Sequence, residues 1–119
     1  MRTIVAGSRS ITDSAHVVEA LWIARTKFNI VPTVVLSGAA RGVDLLGEAW
    51  AEHRLIEVER HIAHWGLFPR TAGRLRNSRM AHAADALVAI WDGSSPGTAH
   101  MIYMAESVGL TRYVHKVRV

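Results

Sequence analysis

The chain contains no cysteine. That excludes a disulfide scaffold, a thiolate zinc site and a cysteine nucleophile. No apolar run approaches the ~18 residues that a membrane-spanning helix needs. The N-terminus, Met1-Arg2-Thr3-Ile4-Val5-Ala6, carries no signal-peptide pattern. These absences lead us to expect a cytoplasmic protein that does not engage a membrane. Aromatic residues make up only 7% of the chain, which argues against a platform stacking several bases in a row. Lysine is scarce as well, because twelve of the fourteen basic residues are arginine. Guanidinium is a planar fork suited to phosphate and carboxylate, whereas lysine is a strongly hydrated point charge.

The chain has 119 residues, half of them hydrophobic and a fifth charged, a globular composition. One domain spanning residues 1–119 is expected. At this size roughly 65% of the unfolded surface can be buried, enough for one core. Fourteen Lys and Arg against ten Asp and Glu give a net charge of +4. A positive balance serves solubility and also favours phosphate-bearing partners. Arg70, Arg74, Arg76 and Arg79 form a local cluster.

Hydrophobic patterning predicts alternating strands and helices. Arg2–Ala6 reads as a strand stopped by Gly7-Ser8-Arg9-Ser10. Helix caps at Thr12-Asp13-Ser14 precede a helix from Ser14 to Phe28, with Val17, Leu21, Ala24 and Phe28 at helical spacing. Thr33–Ser37 is a second strand, and Val43–Arg54 a helix with Leu46, Ala49, Trp50 and His53 along one stripe. Ile56–Ile62 is a third strand, His64–Gly73 a loop and Arg74–Ala84 a helix. Ala86–Trp91 is a fourth strand, Thr98–Val108 a helix closed by Gly109, and Arg112–Val119 a last strand. The β-α-β-α-β-α-β-α-β order predicts a mostly parallel five-stranded sheet covered by helices on both faces.

Three strand-to-helix loops carry most of the chemistry. They are Gly7-Ser8-Arg9-Ser10, Ser37-Gly38-Ala39-Ala40-Arg41-Gly42-Val43-Asp44 and Asp92-Gly93-Ser94-Ser95-Pro96-Gly97-Thr98. In a parallel sheet all such loops emerge at the carboxyl edge, where open α/β folds bind ligands. Glycine admits a ligand close to the backbone, and the free amides at a helix N-terminus favour an anion. Ser37, Ser94, Ser95 and Thr98 add hydroxyls, and Arg9 and Arg41 add charge that can bind bidentately. Gly38-Ala39-Ala40-Arg41-Gly42 is not a dinucleotide fingerprint, and no loop ends in Gly-Lys-Ser/Thr. His61 and His64 lack a second ligand pair, so neither a bound metal nor another cofactor is expected. Trp22 and Trp50 are expected in the core. Trp91 and Trp65 are the tryptophans placed to stack on a base.

Four motifs together resemble the YspA-like branch of the SLOG superfamily. They are Val5–Arg9, Ser37–Asp44, Ala72–Met80 and Trp91–Ile102. The resemblance implies a Rossmann-like three-layer sandwich with strand order 3-2-1-4-5, self-association into a homo-oligomer, and recognition of nucleotides or their derivatives. It carries over to Gly7, Ser8, Arg9, Gly38, Arg41, Gly42, Asp44, Arg76, Asn77, Ser94, Gly97 and Thr98. Ser37 and Trp91 join the expected binding set from their place in the loops. One departure stands out. The phosphoribohydrolase branch of the superfamily has a catalytic glutamate where this chain has Met101. Methionine carries no proton, so only Asp44 and Asp92 remain as catalytic candidates. The leading expectation is binding of a nucleotide-derived phosphorylated ligand. Glycosidic hydrolysis of a nucleotide and single-stranded nucleic-acid binding are the alternatives.

Overall fold

A computed structural model describes residues 1–118. The strands are β1 (Arg2–Gly7), β2 (Val34–Ser37), β3 (Glu57–Arg60), β4 (Ala86–Trp91) and β5 (Thr111–Lys116). The helices are α1 (Ser14–Phe28), α2 (Val43–His53), α3 (Ala72–Ala83) and α4 (Pro96–Val108), one after each of the first four strands. The strands form one sheet in the order β3-β2-β1-β4-β5, and every pairing is parallel. The expected order is therefore observed, and no antiparallel strand is present among the described residues. Among those residues no helix is long and apolar enough to cross a membrane.

The sheet divides the core in two. Val5, Val35, Val88 and Ile90 face α1 and α2, where Val17, Leu21, Val43 and Ala51 pack. Ile4, Leu36, Leu87 and Ala89 face α3 and α4, where Met80, Met101 and Ala105 pack. Alternate residues of one strand thus go to opposite helical layers, which is why β1, β2 and β4 read as nearly unbroken apolar runs. The edge strands β3 and β5 are half-buried and more polar.

Several boundaries move from their sequence-based positions. β3 covers only Glu57–Arg60, because β2 offers just four residues to pair with it. α3 starts at Ala72, since the Ala72 amide already bonds the Phe68 carbonyl. α4 starts at Pro96, whose fixed φ suits the first helical position. β5 covers Thr111–Lys116, and residue 119 of its expected span lies outside the described residues. Two burial expectations also change. Trp22 is 66% exposed, because it lies about 100° around α1 from the buried Leu21. On α2 the buried line is Val43, Gly47 and Ala51, while Ala49 and His53 face out. Trp50 sits at the edge of that layer, half-buried, with the Arg54 guanidinium 4.6 Å from its ring centre.

The chain runs from β1 outward to β2 and β3, then crosses back to β4 and continues to β5. This reversal opens a crevice between the carboxyl ends of β1 and β4, the position where doubly wound sheets hold ligands.

Candidate functional site

A cleft of about 550 Å³ occupies that crevice, a volume suited to a small ligand. Its lining comes from all three predicted loops and from α3. Gly7, Ser8 and Arg9 enter from the end of β1, Arg41 and Asp44 from the β2–α2 segment, and Arg76 and Asn77 from α3. Asp92, Gly97 and Thr98 close it from the β4–α4 side. Ser10, Ala40, Ser95 and Pro96 also line it, as do the side chains of Met80 and Met101 beneath. Those lining residues fall outside the sequence-based set. Ser10, Ala40, Ser95 and Pro96 belong to the predicted loops, Met80 closes the Ala72–Met80 motif, and Met101 is the residue at the glutamate slot of the phosphoribohydrolase branch.

A hydrogen-bond relay fixes one wall. Arg76 donates from Nη1 to the Gly38 carbonyl at 2.8 Å and from Nε to Asn77 Oδ1 at 3.0 Å. Asn77 then donates from Nδ2 to the Gly97 carbonyl and towards His100 Nδ1 at 3.1 Å. His100 therefore accepts at Nδ1 and is neutral. Burial and then the nearby Arg74 hold its pKa below the ordinary histidine value. The relay joins the β2–α2 loop, α3 and α4, segments far apart in the chain. On α3 the basic cluster splits, and Arg76 takes the place in the site expected of it. Arg76 turns into the cleft, Arg79 bonds the Ile62 carbonyl, and Arg70 and Arg74 are exposed.

The charges are unbalanced. Neither Arg9, Arg41 nor Arg76 has a carboxylate within 4.0 Å among the described residues. Burial pulls the Arg76 pKa below its ordinary value, Asp44 raises it, and Arg9 and Arg79 lower it further. Arginine stays protonated in such surroundings, so the repulsion persists. Asp44, in the first turn of α2, is only 6% exposed. Burial raises its pKa to about 6, against the Ala40 amide, Arg76 and the Gly7 amide, which lower it, while Glu48 adds to the rise. A buried carboxyl with a raised pKa beside a cation in a cleft makes Asp44 a candidate working group.

Other expected residues serve the scaffold. Gly7 cannot carry a side chain, since a Cβ there would fall on the Ile90 carbonyl. Gly42 has φ +80°, and a Cβ would sit 2.6 Å from the Ser8 carbonyl oxygen. Ser8 ties β1 to β4 by accepting the Asp92 amide at its hydroxyl. Ser37 donates to the buried Glu48 carboxylate at 2.6 Å, and Glu48 in turn holds Arg60 of β3. Ser37 also caps the Ala39 amide, and Asp44 takes the Ala40 amide. The β2–α2 loop thus spends two of the amides that looked available for phosphate. Asp92 accepts from the Ser94 and Ser95 amides and from the Ser10 and Ser95 hydroxyls. These donors, the Ser95 hydroxyl first, push its pKa well below the usual carboxylate range, so it stays ionised and orders the loop. Ser94 and Trp91 do not line the cleft. Trp91 donates to the Ser95 carbonyl at 3.2 Å, with Lys116 over its ring. The tryptophan near the site is Trp65.

The start of α4 offers what the β2–α2 loop does not. Pro96 has no amide hydrogen, no side chain caps this terminus, and Gly97 and Thr98 in the first turn border the cleft. A Cβ at Gly97 would meet nothing within 4 Å, so the fold itself does not demand glycine there. Met101 lies one turn on, buried beneath the cleft in place of any acid. Among the described residues no three His, Asp or Glu side chains gather in a way that would hold a metal ion.

Comparison with known proteins agrees with this architecture. The model of the YspA, cpYpsA-related SLOG family (YAcAr) matches residues 1–68, which include β1, β2, β3 and the first two site loops. The chain is 34% identical to the Gene 61 protein of Mycobacterium phage D29, across 92% of this chain and 91% of the relative. No solved structure matches it. A sheet in the order 3-2-1-4-5 with its polar loops at the carboxyl edge, a family model covering more than half the sequence and a relative alike over nearly its full length all lead to one assignment. The chain belongs to the YspA, cpYpsA-related SLOG family, which points to a nucleotide-related role in binding or modifying a ligand.

Proposed function

We propose that the cleft binds a nucleotide or a nucleotide-derived phosphorylated ligand. One observation carries this reading. Arg9, Arg41 and Arg76, none of them in a salt bridge among the described residues and only Arg76 facing a carboxylate, that of Asp44, border the same hollow as an uncapped helix N-terminus. An anion there relieves the repulsion between Arg9 and Arg76 and pairs with Arg41, while accepting bonds from the Gly97 and Thr98 amides and the Thr98 hydroxyl. Asp44 accepts a ribose hydroxyl in this arrangement. Thermal unfolding with and without AMP, ADP or ADP-ribose tests it. A ligand at 100 times its dissociation constant adds about 2.7 kcal/mol of stability. Absence of a shift with all three, together with flat titration calorimetry, overturns the proposal.

A second reading rests on Asp44, whose pKa of about 6 lets it exchange a proton near neutral pH beside Arg76. In that reading the protein hydrolyses the glycosidic bond of the bound nucleotide, with Asp44 as the acid–base group. Chromatographic detection of free base from AMP, lost in Asp44→Asn, supports it. An unchanged nucleotide after prolonged incubation removes it and leaves binding alone.

A further inference from the structure

A second hollow of about 480 Å³ adjoins the cleft. It lies toward β3, with Ile62, Ala63 and Trp65 from the β3–α3 connection along one side. Arg9, Ala40, Arg41 and Arg76 line both hollows. The three guanidinium groups therefore stand at a seam between two chambers of similar size and different character. The cleft holds the carboxylate of Asp44 and the start of α4, whereas the second hollow holds an indole and small apolar groups.

Trp65 is built into this wall. A Cβ at Gly73 would stand 3.1 Å from Trp65 Cη2 and 3.9 Å from Arg76 Nη2. The missing side chain at Gly73 thus lets the indole rest against the first turn of α3 next to the Arg76 guanidinium. The residue remains 49% exposed, so the ring has area to offer a ligand. Stacking on an aromatic ring is the sequence-tolerant way in which proteins hold a base.

We propose that the hollow against Trp65 is a second subsite, and that the ligand is a phosphate-bridged molecule with a ring at each end, such as a dinucleoside diphosphate. This inference rests on the cleft's binding a nucleotide. One end of the ligand occupies the cleft, the bridging diphosphate lies across Arg9, Arg41 and Arg76, and the second ring stacks on Trp65. Three cations at the seam match the two charges of a diphosphate better than the single charge of the phosphodiester in a nucleic-acid strand.

Calorimetric titration of the whole chain with AMP, ADP, diadenosine diphosphate and a single-stranded oligodeoxyadenylate tests the proposal. Diadenosine diphosphate is expected to bind about tenfold or more tightly than ADP and to quench indole fluorescence. Trp65→Ala brings its affinity down to that of ADP, leaves AMP and ADP unchanged and abolishes the quench. Trp65→Phe keeps most of the gain. The inference fails if ADP and diadenosine diphosphate bind equally, if Trp65→Ala weakens all the mononucleotides alike, or if the oligonucleotide binds more tightly than diadenosine diphosphate. Those results with AMP or ADP still bound leave the cleft reading standing. Loss of every interaction, AMP included, overturns both.

Discussion

Burial of the Asp44 carboxyl in the first turn of α2, with a pKa of about 6, links one residue to stability as well as to the cleft. The folded state holds this proton more tightly than the unfolded chain does. Stability contributed by the group is therefore fully present below the ordinary aspartate pKa of 3.8, falls as pH rises through about 6, and stays low above that. Asp44→Asn removes the cost of burying the charge. Denaturant unfolding is expected to show the variant more stable than the parent at neutral pH, by up to about 3 kcal/mol, and equal to it under acid. A variant that is less stable than the parent at neutral pH contradicts the assignment. Stabilisation on removing an ionisable group is a mark of a residue kept for something other than folding. Asp92 is the contrasting case. Its carboxylate accepts from Ser94, Ser95 and Ser10 and so holds the β4–α4 loop together.

At the scale of the elements, two glycines at helix starts separate fold from ligand. Gly42 precedes α2 with positive φ and lies against the β1–α1 loop. Gly97 is in the first turn of α4, with open space where a Cβ would project. Gly42→Ala is expected to cost about 2 kcal/mol or more, through backbone strain and contact with the Ser8 carbonyl. Gly97→Ala is expected to leave stability within about 0.5 kcal/mol, since the change is at the surface of a helix, yet to weaken nucleotide binding by screening the α4 amides. Melting curves and titrations on the pair check both halves. A Gly97→Ala protein with parental affinity removes the α4 terminus from the binding site. The tie between elements also explains why β3 stays in the sheet with only four residues. Buried Glu48 of α2 bridges Ser37 of β2 and Arg60 of β3, giving the short edge strand a polar anchor.

Across the whole molecule, the positive charge is concentrated but not striped. Arg70 and Arg74 face solvent, Arg79 bonds the β3–α3 connection, and Arg76 enters the cleft. A groove tracking a long strand needs a continuous basic path, and α3 does not lay one out. The salt response separates the possibilities. Affinity for a mononucleotide in the cleft is expected to weaken only mildly between low and physiological salt, because few phosphates are neutralised. A strand bound along the surface loses affinity in proportion to the phosphates it engages. Fluorescence titrations at several salt concentrations give the slope directly. A steep slope for an oligonucleotide that AMP cannot displace moves the functional surface out of the cleft.

Local patterning determined the alternation of elements and the parallel sheet, while the strand order came from the family resemblance. The alternation of apolar strands with amphipathic helices, and the breaks at Gly7, Gly38 and Asp92, are properties of neighbouring residues and are readable without any tertiary contact. The parallel sheet then forces every strand-to-helix loop to one edge, so the location of the cleft was legible too. Only the tertiary structure decided which members of those loops face it. Gly42, Ser37, Ser94 and Trp91 are bound up in holding loops together, while Met80 and Met101 reach the cleft from α3 and α4, and of the two tryptophans placed to stack on a base Trp65 is the one that lines a hollow beside it. The direction of Arg76 was likewise settled by Gly38 and Asn77, a pairing across 38 residues to the first of them. Side-chain orientation depends on partners distant in the chain, and helical or strand periodicity carries no record of them.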